Sequence, residues 1–105
     1  MEITHSFHGE DLLISLKGEL DESTAPYVRL SLDSSLEEAI QKNISKLILD
    51  FSGITFMDST GIGVLIGRYK KCRKNNINIL IKNSYGHVDK ILQMTGIYEI
   101  MPKLC

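Results

Sequence analysis

Two hydrophobic periods alternate along this chain, and that alternation most constrains its fold. Segments with an apolar residue at every second position, the period of a strand, are followed by segments with apolar residues three or four positions apart, the period of a helix. Strands that alternate with helices through short connections pair in parallel. We therefore expect one α/β domain with a mixed, four- to five-stranded sheet, helices packed on that sheet, and an initial β-hairpin.

The hairpin is predicted in the first twenty residues. Ile3 and Phe7 indicate one strand, a Gly-Glu-Asp cluster indicates the turn, and Leu12, Ile14 and Leu16 alternate along a second strand. A helix should begin after Ser23–Pro26, because hydroxyl side chains cap helices and proline is accepted in their first turn. Its apolar stripe is Val28, Leu32, Leu36, Ala39 and Ile40, and its polar side is Arg29, Asp33, Glu37 and Gln41.

The remaining elements follow the same alternation. A third strand is predicted at Lys46–Phe51, ending at a Ser52-Gly53 turn, and a second helix runs from about Thr60 to Lys74. Asn75 and Asn76 can take the left-handed conformation that ends this helix. The pattern then predicts a strand with Ile77, Ile79 and Ile81, a helix with Val88, Ile91 and Leu92 that stops at Gly96, and a last short strand over 97–101.

Composition narrows the classes of partner. The chain has 105 residues, with twelve basic and thirteen acidic side chains and a formal charge of −1, which favours neither nucleic acid nor an anionic membrane. No apolar stretch approaches the roughly 20 residues of a membrane span, and the first residues lack the pattern of a signal peptide. We expect one cytoplasmic domain, 1–105. Cys72 and Cys105 are interpreted as reduced thiols, and His5, His8 and His87 share no metal-binding spacing.

The second helix contains several positions of special interest. Ser59 or Thr60 is expected to cap its N-terminus. Gly61, Gly63 and Gly67 each cost about 1 kcal/mol relative to alanine in a helix, which suggests close approach of another backbone, either the domain's own sheet or a partner. At its other end, Tyr69 is predicted to face the core. The basic residues there are interpreted mainly as a solvated face: Arg68, Lys70, Lys71, Arg73 and Lys74.

These residues also carry a resemblance to a known family. Residues 56–64, Phe-Met-Asp-Ser-Thr-Gly-Ile-Gly-Val, continued by Gly-Arg-Tyr-Lys at 67–70, resemble the phosphorylation-site segment of anti-sigma factor antagonists, especially the sporulation antagonist of spore-forming Gram-positive bacteria. Those proteins have the STAS fold. Residues 18–21, Gly-Glu-Leu-Asp, and 94–97, Met-Thr-Gly-Ile, are similar to two further landmarks of the family, so the resemblance extends over nearly the whole chain.

The resemblance implies a switch without catalysis or a cofactor of its own. In such families the unphosphorylated antagonist binds an anti-sigma factor and frees the sigma factor. The anti-sigma factor is also a serine kinase that carries the ATP, and a separate serine phosphatase reverses the modification. The implied phosphorylation site is Ser59. The implied partner surface comprises Asp21, Thr24, Met57, Asp58, Ser59, Thr60, Gly61 and Gly63.

Simpler interpretations of single residues stay open. Apart from the motif, Ser59 is an ordinary helix cap and Asp21 a turn residue. Asp58 either complements the helix dipole or contacts the kinase. A phosphate on Ser59 would add about −1.5 to −2 charges beside Asp58 at a helix N-terminus, where unpaired N–H donors can accommodate it without unfolding the domain.

Other functional classes fit less well. A nucleotide-binding module is suggested by Gly61 and Gly63 after a strand, but no acidic residue ends the next strand and no Gly-Lys-Ser or Gly-Lys-Thr occurs. Hydrolase motifs fail as well, because a nucleophile elbow needs glycine where Met57 stands. A structural STAS module that assembles with copies of itself or with sensor proteins remains an alternative to the antagonist.

Overall fold

The computed structural model describes residues 1–104, and its elements alternate as the periodicity predicts. In chain order they are β1 (Glu2–His8), β2 (Asp11–Leu20), α1 (Ala25–Gln41), β3 (Lys46–Met57), α2 (Ser59–Lys74), β4 (Asn78–Lys82), α3 (Gly86–Met94), α4 (Ile97–Ile100) and β5 (Lys103–Leu104). The predicted α/β class and initial hairpin are confirmed. Asn76, with φ 58°, ends α2 in the left-handed conformation as expected.

The strands form a single sheet in the order β1-β2-β3-β4-β5. β1 pairs antiparallel with β2, and every other neighbouring pair is parallel. Parallel strands end at the same side of a sheet. The residues that directly follow β2, β3 and β4 therefore lie along one margin of the molecule, which we call the carboxyl edge.

The core lies between the sheet and the helices. The predicted stripe of α1 faces the core, since Val28, Leu32, Leu36 and Ala39 are at most 1% exposed and Ile40 is partly buried against them. It packs with alternating residues of the central strands, and burial of each such large aliphatic side chain contributes about 1.5–3 kcal/mol. The buried strand residues include Leu12, Ile14, Leu16, Leu47, Leu49, Phe51, Ile79 and Ile81.

The predicted end of the third strand is wrong. β3 does not stop at Ser52-Gly53 but continues to Met57, with two register shifts against β2. The backbone N–H of Ser52 donates to Asp50 Oδ1 at 3.0 Å, and pairing resumes at Gly53 opposite Lys17. A Cβ on Gly53 would lie 2.8 Å from the carbonyl oxygen of Leu16. The glycine thus permits close approach of β2 within an irregular strand and does not mark a turn.

The predicted last strand is also wrong. Residues 97–100 form the helix α4, and the final strand is the two-residue β5. The short apolar run fits either period, and tertiary packing decides between them. Ile97 and Met101 are both buried, four positions apart, and the Met101 N–H donates to the Ile97 carbonyl oxygen at 2.8 Å. Gly96, at φ 78°, provides the left-handed residue between α3 and α4.

The basic end of α2 is not simply a solvated face. Arg68 Nε lies 3.0 Å from Asp33 Oδ1 of α1, and the Arg68 side chain is only 13% exposed. Lys71 Nζ lies 2.8 Å from Glu37 Oε1. These pairs join the two helices through residues that the sequence pattern had placed on solvated sides. Such contacts depend on how the helices pack, which helical periodicity alone does not determine.

Two other predictions for α2 concern its inner side. Tyr69 is half-buried and packs against the core, as expected, while its hydroxyl accepts a hydrogen bond from Arg73 Nη1 at 3.0 Å. Cys72 is a free thiol with no exposed surface, and burial raises its pKa to about 12. The prediction for Cys105 lies outside the described residues.

Candidate functional site

Two loops of the carboxyl edge are joined through the backbone. Leu20 and Met57 are paired at the ends of β2 and β3. Directly beyond them, the Asp58 N–H donates to the Leu20 carbonyl oxygen at 3.3 Å. The loop that leads into α1 and the start of α2 therefore lie side by side, and the structure brings together the two sequence segments that the site prediction had combined.

Asp58 caps α2. Its backbone is extended, with φ −119° and ψ −173°, and its Oδ1 accepts hydrogen bonds from the N–H groups of Thr60 at 2.9 Å and Gly61 at 3.3 Å. The prediction that Ser59 or Thr60 would be the cap is wrong, because Ser59 is already the first helical residue. Aspartate is as good a cap as serine, and the chain geometry places the cap one residue earlier.

Ser59 is left with an exposed side chain. Within residues 1–104 its hydroxyl takes part in no side-chain hydrogen bond. Because Asp58 already engages two of the N–H groups at the helix start, a phosphate on Ser59 would meet fewer unpaired donors than the sequence suggested. The hydroxyl can be modified without loss of a contact that holds the fold.

The glycines of α2 divide into two kinds. A Cβ on buried Gly61 would lie 2.8 Å from Met57 Cγ and 3.0 Å from the Leu20 carbonyl oxygen, so the close neighbour is the domain's own sheet. Around Gly63 and Gly67 a Cβ would meet no atom within 4 Å. Gly63 is exposed and lies one helical turn after Ser59, on the same side of α2.

Burial also divides the predicted partner surface. Met57 is 1% exposed and, with Gly61, lies beneath the surface that Ser59 and Gly63 present. The expectation that Met57 and Gly61 contact a partner directly does not fit their burial. Since the Gly61 N–H is engaged by Asp58, this turn also lacks the free glycine N–H group that a phosphate-binding loop would use.

Asp21 organises the loop before α1. Its Oδ1 accepts hydrogen bonds from Ser23 Oγ at 2.8 Å, Ser23 N at 3.0 Å and Thr24 N at 3.1 Å. The bond from the Ser23 hydroxyl is the largest of the causes that lower the pKa of Asp21. The Thr24 hydroxyl donates to the Glu19 carbonyl oxygen at 2.8 Å and makes no helix-capping bond. The capping bonds expected of the Ser23 and Thr24 hydroxyls are therefore not formed, and Asp21 instead fixes the shape of the loop before the helix.

A third group at this edge was missed by the sequence argument. Phe56 is 41% exposed although it lies in β3, and the ring of His87 stacks on it with centroids 5.9 Å apart at 25°. Tyr85, before α3, is 55% exposed. The sequence presents Phe56 only as part of the motif, because its outward direction depends on the register shifts of β3.

The charge of the carboxyl edge differs from that of the whole chain. Glu19, Asp21, Glu22 and Asp58 are concentrated here, and residues 18–28 and 51–67 contain no lysine or arginine. The overall charge of −1 therefore conceals an acidic edge. A partner that docks here must present a surface that tolerates or complements negative charge.

Other kinds of site find little support in the part of the chain that is described. Residues 1–104 contain no group of three or more His, Cys, Asp or Glu side chains suited to holding a metal ion. Within the same residues, none of the helices combines the length and apolar character that crossing a membrane requires.

Comparison with known proteins identifies the family. The model of the STAS domain matches residues 2–105. The anti-sigma F factor antagonist of Paenibacillus polymyxa is 30% identical over 102 residues, which cover 97% of this chain and 85% of that protein. The anti-sigma-B factor antagonist of Bacillus subtilis (strain 168) is 26% identical over 91 residues, covering 87% of this chain and 79% of the relative.

Solved structures agree with the fold. The Bacillus cell fate determinant SpoIIAA in its phosphorylated form superposes with a TM-score of 0.71 at 23% identity, covering 99% of this chain and 92% of that one. An anti-sigma factor antagonist from Mycobacterium paratuberculosis superposes with a TM-score of 0.82 at 20% identity, covering 97% and 83%. With the family model matched over residues 2–105, these similarities show that the chain belongs to the STAS-domain family of anti-sigma factor antagonists.

Proposed function

We propose that the unphosphorylated chain binds an anti-sigma factor that is also a serine kinase, so that the sigma factor is released, and that phosphorylation of Ser59 ends this binding. A serine phosphatase restores the active form. The observation that carries the proposal is the division of tasks at the start of α2: Asp58 caps the helix, and Ser59 is exposed with its hydroxyl unengaged. The chain acts by binding in the cytoplasm, has no catalytic activity, and leaves ATP to the kinase.

The proposed switch needs no change of fold. A phosphate on Ser59 breaks no side-chain hydrogen bond of the described structure and adds about −1.5 to −2 charges to the docking surface. A hundredfold loss of affinity corresponds to about 2.8 kcal/mol. Burying a doubly charged, strongly hydrated group against a partner supplies a penalty of this size, whether or not long-range repulsion contributes.

The sporulation branch of the family is the one we favour. The Paenibacillus polymyxa relative, which matches 97% of this chain at 30% identity, is an anti-sigma F factor antagonist, and residues 56–64 resemble the phosphorylation-site segment of the sporulation antagonist. We therefore propose a sporulation-type anti-sigma factor as the partner.

The direct test is phosphorylation in vitro. The chain is incubated with ATP and a candidate anti-sigma kinase of the sporulation type, and the modified residue is mapped by mass spectrometry. We expect a single phosphate on Ser59 and none on Ser59→Ala, while Ser34→Ala, which changes an exposed serine of α1, is modified like the wild type. Phosphate on a different residue, or equal affinity of the modified and unmodified chains for the kinase, would refute the proposal.

A further inference from the structure

The sheet has a second face, on the side away from the core. Successive side chains of a strand point to opposite faces, so the residues between the buried positions of β2, β3 and β4 point away from the core. The parallel register places them side by side across the three strands. We call this surface the outer face and define it by five residues: Leu13, Lys46, Ile48, Asp50 and Leu80.

An apolar row crosses the middle of the outer face. Leu13, Ile48 and Leu80 are register partners on β2, β3 and β4. All three are partly exposed, whereas Leu47 and Leu49, which flank Ile48 in the chain, are at most 1% exposed. Within residues 1–104 none of the three belongs to the hydrophobic core or packs against it. A row of three aliphatic side chains therefore remains in contact with water.

Two opposite charges flank this row on β3. Lys46 lies two residues before Ile48 and Asp50 two residues after it, which places each about 7 Å along the strand from the row. Neither takes part in an ion pair within residues 1–104. Asp50 Oδ1 accepts hydrogen bonds from Ser52 N at 3.0 Å and Asn83 Nδ2 at 3.2 Å, and these bonds hold the carboxylate in place.

We infer that two copies of this chain associate through their outer faces. A two-fold axis along the apolar row places the row of one copy on the row of the other, as in two stacked sheets. The same rotation brings Lys46 of each copy opposite the partner's Asp50, because the two charges lie at equal distances on opposite sides of Ile48. The outer face is thus complementary to itself in apolar surface and in charge, as a two-fold interface requires.

A second copy fits the outer face better than other classes of partner. A nucleic acid or an anionic membrane would meet the Asp50 carboxylate together with the single lysine, and like charges repel. The apolar row is also only three side chains long, which is short for insertion into lipid. Self-association instead pairs both charges and covers the row of each copy.

The size of the outer face predicts a weak dimer. Four strands spaced about 4.8 Å apart, each with about seven residues that rise 3.3 Å, give roughly 450 Å² per copy. Stable interfaces bury about 800 Å² per partner. We therefore expect monomer and dimer in equilibrium, with a Kd on the order of 100 µM. Ser59 and Gly63 belong to α2, which packs on the other face, so the dimer does not depend on the proposed function and leaves its docking surface accessible.

Sedimentation equilibrium of the whole chain at low salt tests the inference. Between about 10 µM and 1 mM we expect the mass to rise from the monomer value of 11.8 kDa towards twice that value and no further. A mass that stays monomeric at the highest concentration would overturn the inference. Growth beyond the dimer would also overturn it, because a two-fold interface is closed.

Charge reversal tests the pairing itself. Lys46→Glu and Asp50→Lys should each weaken self-association at least about tenfold, because two pairs of like charges then face each other. An equal mixture of the two variants should associate like the wild type, since each acidic charge of one variant then faces a lysine of the other. Lys70→Glu is the matched control, because it makes the same charge change at an exposed position of α2. Self-association that survives Lys46→Glu, or a mixture that stays monomeric, contradicts the pairing.

Cross-linking of the wild type keeps the test decisive if Asp50→Lys disturbs the fold. Equal amounts of ¹⁴N- and ¹⁵N-labelled chain are mixed and treated with a carbodiimide, which joins a lysine amine to a nearby carboxylate as an amide. Mass spectrometry should find peptides in which Lys46 of one isotope label is joined to Asp50 of the other. Cross-links between Lys46 and Asp50 that occur only within one label, or none between these residues, would refute the dimer.

Discussion

Asp58 holds the N-terminus of α2 and thereby leaves the neighbouring Ser59 hydroxyl without a structural task. The Asp58 carboxylate accepts hydrogen bonds from the N–H groups of Thr60 at 2.9 Å and Gly61 at 3.3 Å, while the Ser59 side chain is exposed. Two adjacent polar residues thus separate the capping of α2 from the regulation that we propose for Ser59. This division makes the proposed switch compatible with an unchanged fold.

Substitution of Ser59 should alter binding and leave stability almost unchanged. We expect Ser59→Ala to bind the anti-sigma kinase permanently in the presence of ATP, and Ser59→Asp to bind at least about tenfold more weakly, or about 1.4 kcal/mol. Because the serine hydroxyl takes part in no side-chain hydrogen bond in the described structure, the free energy of unfolding of both variants should lie within about 0.5 kcal/mol of the wild-type value. Calorimetric titration and urea denaturation provide the two measurements, and equal binding by both variants would contradict the switch.

Substitution of Asp58 should reduce the stability of the fold. Asp58→Ala removes the cap of α2 and should cost about 0.5–2 kcal/mol of unfolding free energy. Asp58→Asn is the matched control, since asparagine caps about as well as aspartate while it removes the charge. If urea denaturation shows Asp58→Ala to be as stable as the wild type, Asp58 is not the functional cap of the helix.

Alanine substitution of Gly61 and of Gly63 should change the stability of the fold in opposite directions. In Gly61→Ala the new methyl group meets Met57 Cγ at 2.8 Å and the Leu20 carbonyl oxygen at 3.0 Å, so we expect a loss of about 1–3 kcal/mol. Gly63→Ala has open space and better helix propensity, and it should gain up to about 1 kcal/mol. Urea denaturation of both variants measures these changes. A Gly61→Ala variant as stable as the wild type would contradict the expected clash and show that the contact with the sheet relaxes easily.

A bulky residue at Gly63 should interfere with binding while the fold is kept. Gly63 lies one helical turn from Ser59 and faces open space. We expect Gly63→Trp to bind the anti-sigma kinase at least about tenfold more weakly and to unfold no more easily than the wild type. Unchanged affinity measured by calorimetry would place this part of α2 outside the docking surface.

The pH dependence of stability should report on Asp89 of α3. A hydrogen bond from Lys103 Nζ at 2.8 Å, followed by one from the Tyr98 hydroxyl, lowers the pKa of Asp89 below its ordinary 3.8. Its stabilising contribution is therefore complete above about pH 4 and is lost as the pH falls through the lowered folded pKa. We expect a flatter thermal-stability profile below pH 4 for Asp89→Asn, and part of this flattening for Lys103→Met. An unchanged acid profile for Asp89→Asn would contradict the assignment.

The alternation of periods was sufficient to predict the sheet, its initial hairpin and the main helices. It failed at 52–53 and 97–101, where a run of a few residues fits more than one structure. Ser52-Gly53 looks like a turn, but β2 supplies pairing partners beyond it, and a register shift accommodates the extra residue. At 97–101 the joint burial of Ile97 and Met101 favours a helix.

By itself the sequence determined the fold class, and it predicted the segments that form the candidate site with Ser59 at its centre, because hydrophobic period and a local motif are properties of short stretches of chain. Only the tertiary structure decided that Asp58 caps α2, that Gly61 faces the sheet while Gly63 faces open space, and that Phe56 lies opposite Glu19 beneath His87. Each of these depends on strand register and helix packing. Those are set by contacts between residues far apart in the chain, which no local pattern encodes.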